Sequence, residues 1–117
     1  MQYLDTERFP LPEGYRFRSI TVRRMTVDDL RLITAGYDTV PEDEEERMRM
    51  LEDGYRYCLV AVDDMPFHGR TSLMEFRSFS PAIVAFIRIA FLAINTPEHI
   101  AEILREFWTE MRRKRAS

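Results

Sequence analysis

At 117 residues, 45% hydrophobic and 32% charged, the chain has the make-up of one ordinary globular domain, long enough to bury a core without disulfide or metal staples and too apolar to be a disordered tail. The net charge is −3, and because Arg112, Arg113, Lys114 and Arg115 supply +4 of it, the rest carries −7, a balance that argues against general nucleic-acid binding. The single cysteine, Cys58, excludes an internal disulfide and reads as a small core residue.

Residues 1–14 form an expected extended N-terminal arm. They lack the basic start and apolar stretch of a signal peptide, which sets a cytoplasmic location as the expectation. Pro10, Pro12 and Gly14 disfavour a helix there, while Tyr3, Leu4, Phe9 and Leu11 can dock the arm. In residues 15–24 the apolar parity shifts between Tyr15/Phe17 and Ile20/Val22, which predicts a bulged strand or a short β-hairpin.

Thr26 is placed to cap a short helix over 27–35, with Asp28 and Asp29 in its first turn and Gly36 at its end. A second helix starts near Pro41, followed by the acidic run Glu42, Asp43, Glu44, Glu45 and Glu46, which reads as a solvated, dipole-compensating turn. Met48, Leu51, Tyr55, Cys58 and Val62 then recur at helical spacing and favour a helix running through Gly54. The competing reading makes 55–62 a strand, because it is rich in β-formers.

Residues 63–69 break that element, and Ser72 with Glu75 has a capping-box pattern for a short third helix. Ser80 caps an almost wholly apolar helix over 81–94, interrupted only by Arg88. At about 14 residues it is shorter than the roughly 20 a membrane span needs. Thr96 caps the last helix, whose stripe is Ile100, Ile103, Leu104, Phe107, Trp108 and Met111, ending in the basic tail 112–117. The short link predicts an antiparallel αα-hairpin of these two helices.

A helix apolar on every side has to be covered on every side. A chain this short has few elements for the task, so the surplus face of 81–94 is expected to belong to a partner. Arg88 must reach solvent or pair with an acid such as Glu75 or Asp64. His68 and His99 are far apart and lack neighbouring ligands at metal spacing, the four glycines form no phosphate loop, and no nucleophile elbow is present.

The segment 15–33, and within it Ile20, Val22, Arg23, Thr26, Val27, Asp29 and Leu30, resembles the opening of small tailed-phage tail proteins. It is similar to tail assembly chaperones and to baseplate hub assembly proteins of contractile-tailed phages. The resemblance implies a helical remainder, binding to phage tail or baseplate subunits during assembly, and no catalytic residue.

The expectation is therefore a single α+β, mainly helical domain over 1–117, with an N-terminal strand or β-hairpin packed on four or five helices. Its expected core includes Val27, Leu30, Ile33, Leu51, Tyr55, Leu59, Ile83, Phe86, Ile87, Ala90, Ile94, Ile103, Leu104, Phe107 and Trp108. The expected role is noncatalytic assembly or scaffolding through protein partners, with a homo-oligomer compatible and no enzyme activity, cofactor, metal, small-molecule substrate, nucleic acid or membrane involved. Tyr3, Phe9, Phe79, Arg88 and Trp108 are the candidate partner-binding residues, since aromatic and arginine anchors dominate such contacts. The alternatives are a small inhibitor of a host enzyme acting through the acidic run 42–46, and an enzyme using His68 or Asp64.

Overall fold

A computed structural model describes residues 5–35, 41–66 and 73–116. Tyr3, Leu4, Gly36, His68, Gly69 and Ser72 lie outside the described residues. The fold is α+β: among the described residues there are four antiparallel strands in the order β1–β2–β3–β4 and five helices. The strands are β1 (Thr6–Pro10), β2 (Ser19–Arg23), β3 (Leu59–Val62) and β4 (Met65–Pro66). The helices are α1 (Val27–Thr34), α2 (Glu44–Cys58), α3 (Leu73–Arg77), α4 (Pro81–Ile94) and α5 (Pro97–Ala116).

The N-terminal arm is not a free extension. Thr6 to Pro10 pair with Arg23 to Ser19, so the hairpin draws its first strand from the arm and its second from 15–24. Pairing gives the arm's backbone N–H and C=O groups partners that solvent would otherwise supply. The bulge expected within 15–24 does not form: Tyr15 and Phe17 lie before β2, whose pairing with β1 is regular, and the register shift opposite Thr21 and Val22 leaves the extra residue, Val60, on β3. Ile20 and Val22 are both fully buried, and α4 lies across β2.

The 55–62 segment divides between its two readings. The helix continues through Gly54 but stops at Cys58, and Leu59 to Val62 form a strand paired with β2. Helical periodicity carries the chain only to the point where β2 offers partners to Leu59, Ala61 and Val62. Beyond it, ladder hydrogen bonds and burial outweigh the helical pattern. The expectation of a helix through Val62 is corrected accordingly.

Gly54 lies buried where α2 crosses α1, and a Cβ there would stand 3.0 Å from Met25 Cε and 3.8 Å from Ile33 Cδ1. Gly54→Ala is expected to leave the thermal midpoint near wild type. The gain of about 1 kcal/mol in helix propensity is offset by displacing one flexible methionine methyl. Gly54→Leu should lose roughly 1–3 kcal/mol through overpacking, a contrast that urea titration of both variants would measure.

α4 and α5 follow one another as expected, but their axes turn by 77° instead of folding back antiparallel. α5 packs along α1, where Arg31 reaches Glu110 at 2.7 Å through Nε and also pairs with Asp28. The turn is set by Asn95, which is buried, and by Thr96, whose hydroxyl accepts the His99 N–H at 3.2 Å as the α5 cap.

The buried core comprises Ile20, Val22, Met25, Ile33, Cys58, Leu59, Val62, Phe76, Ile83, Ile87, Ala90, Phe91 and Ile103. Three expected core residues are instead exposed: Leu51 by 51%, Leu104 by 36% and Trp108 by 54%. Each follows a covered residue, Leu51 after half-buried Met50, Leu104 after buried Ile103 and Trp108 after buried Phe107, so it lies about 100° round its helix from the covered face.

Candidate interaction surface

α4 presents two different faces. Ser80 accepts the Ile83 N–H at 3.3 Å and Pro81 occupies the first turn, a start that fixes the helix rotation. Ile83, Ile87, Ala90 and Phe91 point inward and are buried. Phe91 meets Tyr55 of α2 edge-on, with ring centroids 5.0 Å apart. On the opposite side Arg88 is exposed, and Ile89 and Leu92 keep 62% and 57% of their surface in water.

Arg88 therefore reaches solvent. Of the two acids considered for it, Asp64 is paired with Arg8 at 3.0 Å, and Glu75 is exposed on α3. Burial pushes the Tyr55 hydroxyl above its ordinary value, and the Arg88 charge partly offsets that rise. Arg88 thus sits on the edge of α4 that adjoins α2.

The five candidate partner-binding residues do not gather at one place. Phe79 and Arg88 share a shallow groove of about 300 Å³ between α3 and α4, with Glu52, Phe76, Arg77 and Val84 on its walls. Phe79 is half-buried and anchored edge-on against Phe17 at 5.8 Å and Phe76 at 6.3 Å, so its ring belongs mainly to the fold. Phe9 packs on the core from β1. Trp108 stands apart on α5, edge-on to Phe107 at 5.7 Å, while Tyr3 lies outside the described residues.

A second exposed apolar stretch was missed because its spacing is that of a core stripe. On α2, Tyr55 is half-buried and Cys58 buried, but Met48 and Leu51 on the same helical face are exposed by 52% and 51%. Asp43 caps the helix through the Glu45 N–H at 3.3 Å, and Glu44, Glu45 and Glu46 are exposed in its first turn. The one legible signal for the α4 face was Arg88 itself. Of the positions three and four residues from it, Leu92 lies on its solvent side, while Phe91 turns into the core and Val84 and Ala85 are half-buried.

Polar groups that sequence reading weighed for chemistry have structural employment. The Asp63 carboxylate accepts the Arg18 and Ser19 backbone N–H groups at 2.7 and 3.1 Å. It does so from the tight β3–β4 turn, where Asp63 has φ of 53°, a conformation aspartate tolerates better than most residues. His99 Nε2 lies 2.8 Å from the Met25 carbonyl oxygen, and Cys58 is fully buried. Among the described residues no group of three or more His, Cys, Asp or Glu side chains is placed to hold a metal ion.

The residues that carry the phage-tail resemblance are all used by the local fold. Ile20 and Val22 are core, Thr26 caps α1, Arg23 pairs with Asp29, and Val27 and Leu30 pack against the core. No protein-family model, no curated protein and no solved structure matches the chain. Among the described residues no single helix is long and apolar enough to cross a membrane, and α4 with α5 reach that length only across their 77° bend.

Proposed function

We propose that the chain is a noncatalytic assembly component that works by protein–protein contact, of the kind that binds tail or baseplate subunits of a phage. One observation carries this reading. Among the described residues, Met48 and Leu51 of α2, Ile89 and Leu92 of α4, and Leu104 and Trp108 of α5 are large apolar side chains left exposed.

Such surface is costly unless something covers it. Arg88 and Trp108 offer the anchor chemistry that dominates protein interfaces. The resemblance of residues 15–33 to tail assembly proteins points to the same class of role.

The test is the size of the particle that contains the chain in extracts of the cells that naturally make it. Wild type should sediment well above 14.0 kDa, and Leu92→Glu should release it while leaving the thermal midpoint unchanged, because Leu92 is exposed. A wild-type chain that sediments as a lone monomer in those extracts would sink the assembly reading.

A further inference from the structure

We infer that the exposed face of α4 is covered by the outer half of α2 from a second copy of this chain, an inference that rests on the assembly reading and specifies its partner. Both surfaces are uncovered in the single chain, and their chemistries are complementary. α4 carries Ile89 and Leu92, three residues apart, with Arg88 as its only charged residue. α2 carries Met48 and Leu51, also three residues apart, and Glu44 and Glu45 lie one turn before Met48.

Helices pack by laying apolar ridges spaced three or four residues apart into the grooves of a neighbour, so each pair can seat on the other. Glu44 or Glu45 then lies within a turn of Arg88. An acid–arginine contact at the rim of an apolar seam sets register and excludes mismatched partners. Within one chain this role is not filled: α2 meets α4 further along, at Tyr55 and Phe91, and Glu52 is directed to Arg77 at 3.5 Å.

Two-fold symmetry strengthens the case. A residue pair across a two-fold axis occurs twice, so one contact of α2 on the partner's α4 also places the partner's α2 on this α4. Four of the exposed large apolar side chains, Met48, Leu51, Ile89 and Leu92, are covered in both chains by a single kind of contact.

The strand edge of β1 is a poorer route for self-association. It carries Glu7, Arg8 and Pro10, and edge charges and proline are the usual guards against strand pairing.

The test uses the purified full chain, with sedimentation equilibrium across a concentration series and charge exchange at the seam. Wild type should sediment at twice the 14.0 kDa chain mass. Ile89→Glu should raise the dissociation constant by roughly 30-fold or more, as for a central interface residue. Arg88→Glu and the pair Glu44→Arg with Glu45→Arg should each weaken the dimer about tenfold, and combining all three should restore it. Every substituted position is exposed, so each variant should keep the wild-type circular dichroism spectrum and a cooperative melt, with the midpoint lowered only as far as loss of the dimer and of the first-turn acids requires.

A purified chain that stays monomeric, while still entering a larger particle in source-cell extracts that Leu92→Glu releases, would overturn the self-pairing and leave the assembly reading standing. Monomer in both settings would overturn both. A dimer that ignores every substitution would place the interface elsewhere and end this inference.

Discussion

Replacing Asp29 by alanine is expected to cost roughly 3–5 kcal/mol of folding stability, because it strands a partly buried arginine whose partner is gone. The Asp29 side chain is fully buried, and Arg23 grips it through both terminal nitrogens at 2.7 and 2.8 Å. Arg23 also donates to the Tyr57 carbonyl at 2.8 Å, so one guanidinium ties β2 to the start of α1 and the end of α2. The same carboxylate accepts the Thr26 N–H at 2.8 Å, and Thr26 accepts the Asp29 N–H in return at 3.3 Å, closing a capping box. For a domain of this size the loss should lower the thermal midpoint by more than about 10 °C.

The pH dependence has a definite sign. Burial pushes the Asp29 carboxyl up, but the Arg23 hydrogen bonds, the Thr26 backbone N–H, the Arg23 charge and the Thr26 hydroxyl together outweigh it and hold the group below its ordinary value. A carboxyl depressed on folding contributes stability that is fully present above its unfolded value of about 3.9 and is lost as pH falls through the lower folded value. The gap between wild type and Asp29→Ala should thus be constant from neutral pH to about 5 and narrow below about 4. Urea titrations at a series of pH values would show it. A gap that widened in acid would contradict the ion-pair account.

The second large effect belongs to Asn95. Its side-chain oxygen accepts the Met25 N–H at 2.7 Å, and its amide donates to the Phe91 carbonyl at 3.0 Å. Asn95→Leu fills similar space but leaves the Met25 N–H buried without its acceptor, and an orphaned buried donor costs about 1–3 kcal/mol. The α4 terminus loses its side-chain cap at the same time. A loss of roughly 2–4 kcal/mol in all is expected from these two contributions. Amide hydrogen exchange offers a sharper readout, since the Met25 N–H should lose protection ahead of the α4 interior. Protection unchanged at Met25 would show that the bond does not hold the junction.

Much of the fold was legible in local chemistry. Thr26, Ser80 and Thr96 announced helix starts because a hydroxyl before an apolar-periodic run has an orphan N–H to satisfy, and all three serve that purpose. The parity change between Phe17 and Ile20 marked the start of β2 and not a bulge inside it, since Tyr15 and Phe17 precede the strand and the one register shift leaves Val60 of β3 unpaired. The surface was half legible: Arg88 marked the solvent side of α4, but the exposed positions of Met48 and Leu51 were hidden behind a perfectly regular core spacing.

By itself, then, the amino-acid order determined where helices begin, where the chain turns and that the α4 segment carries more apolar surface than a small fold can readily enclose. These are short-range properties, fixed by capping, backbone restriction and periodicity within a few residues. Tertiary structure decided that Leu59 leaves a helical pattern for a strand, that Asp29 becomes the buried partner of Arg23, and that α5 turns across α1 instead of back along α4. Each of those outcomes depends on what lies on the far side of a contact: the open ladder groups of β2, a guanidinium six residues away in sequence, and the Met25 backbone seventy residues from Asn95. Periodicity states which face of a helix is apolar, but only the arrangement of the other elements decides how far along that face the cover extends.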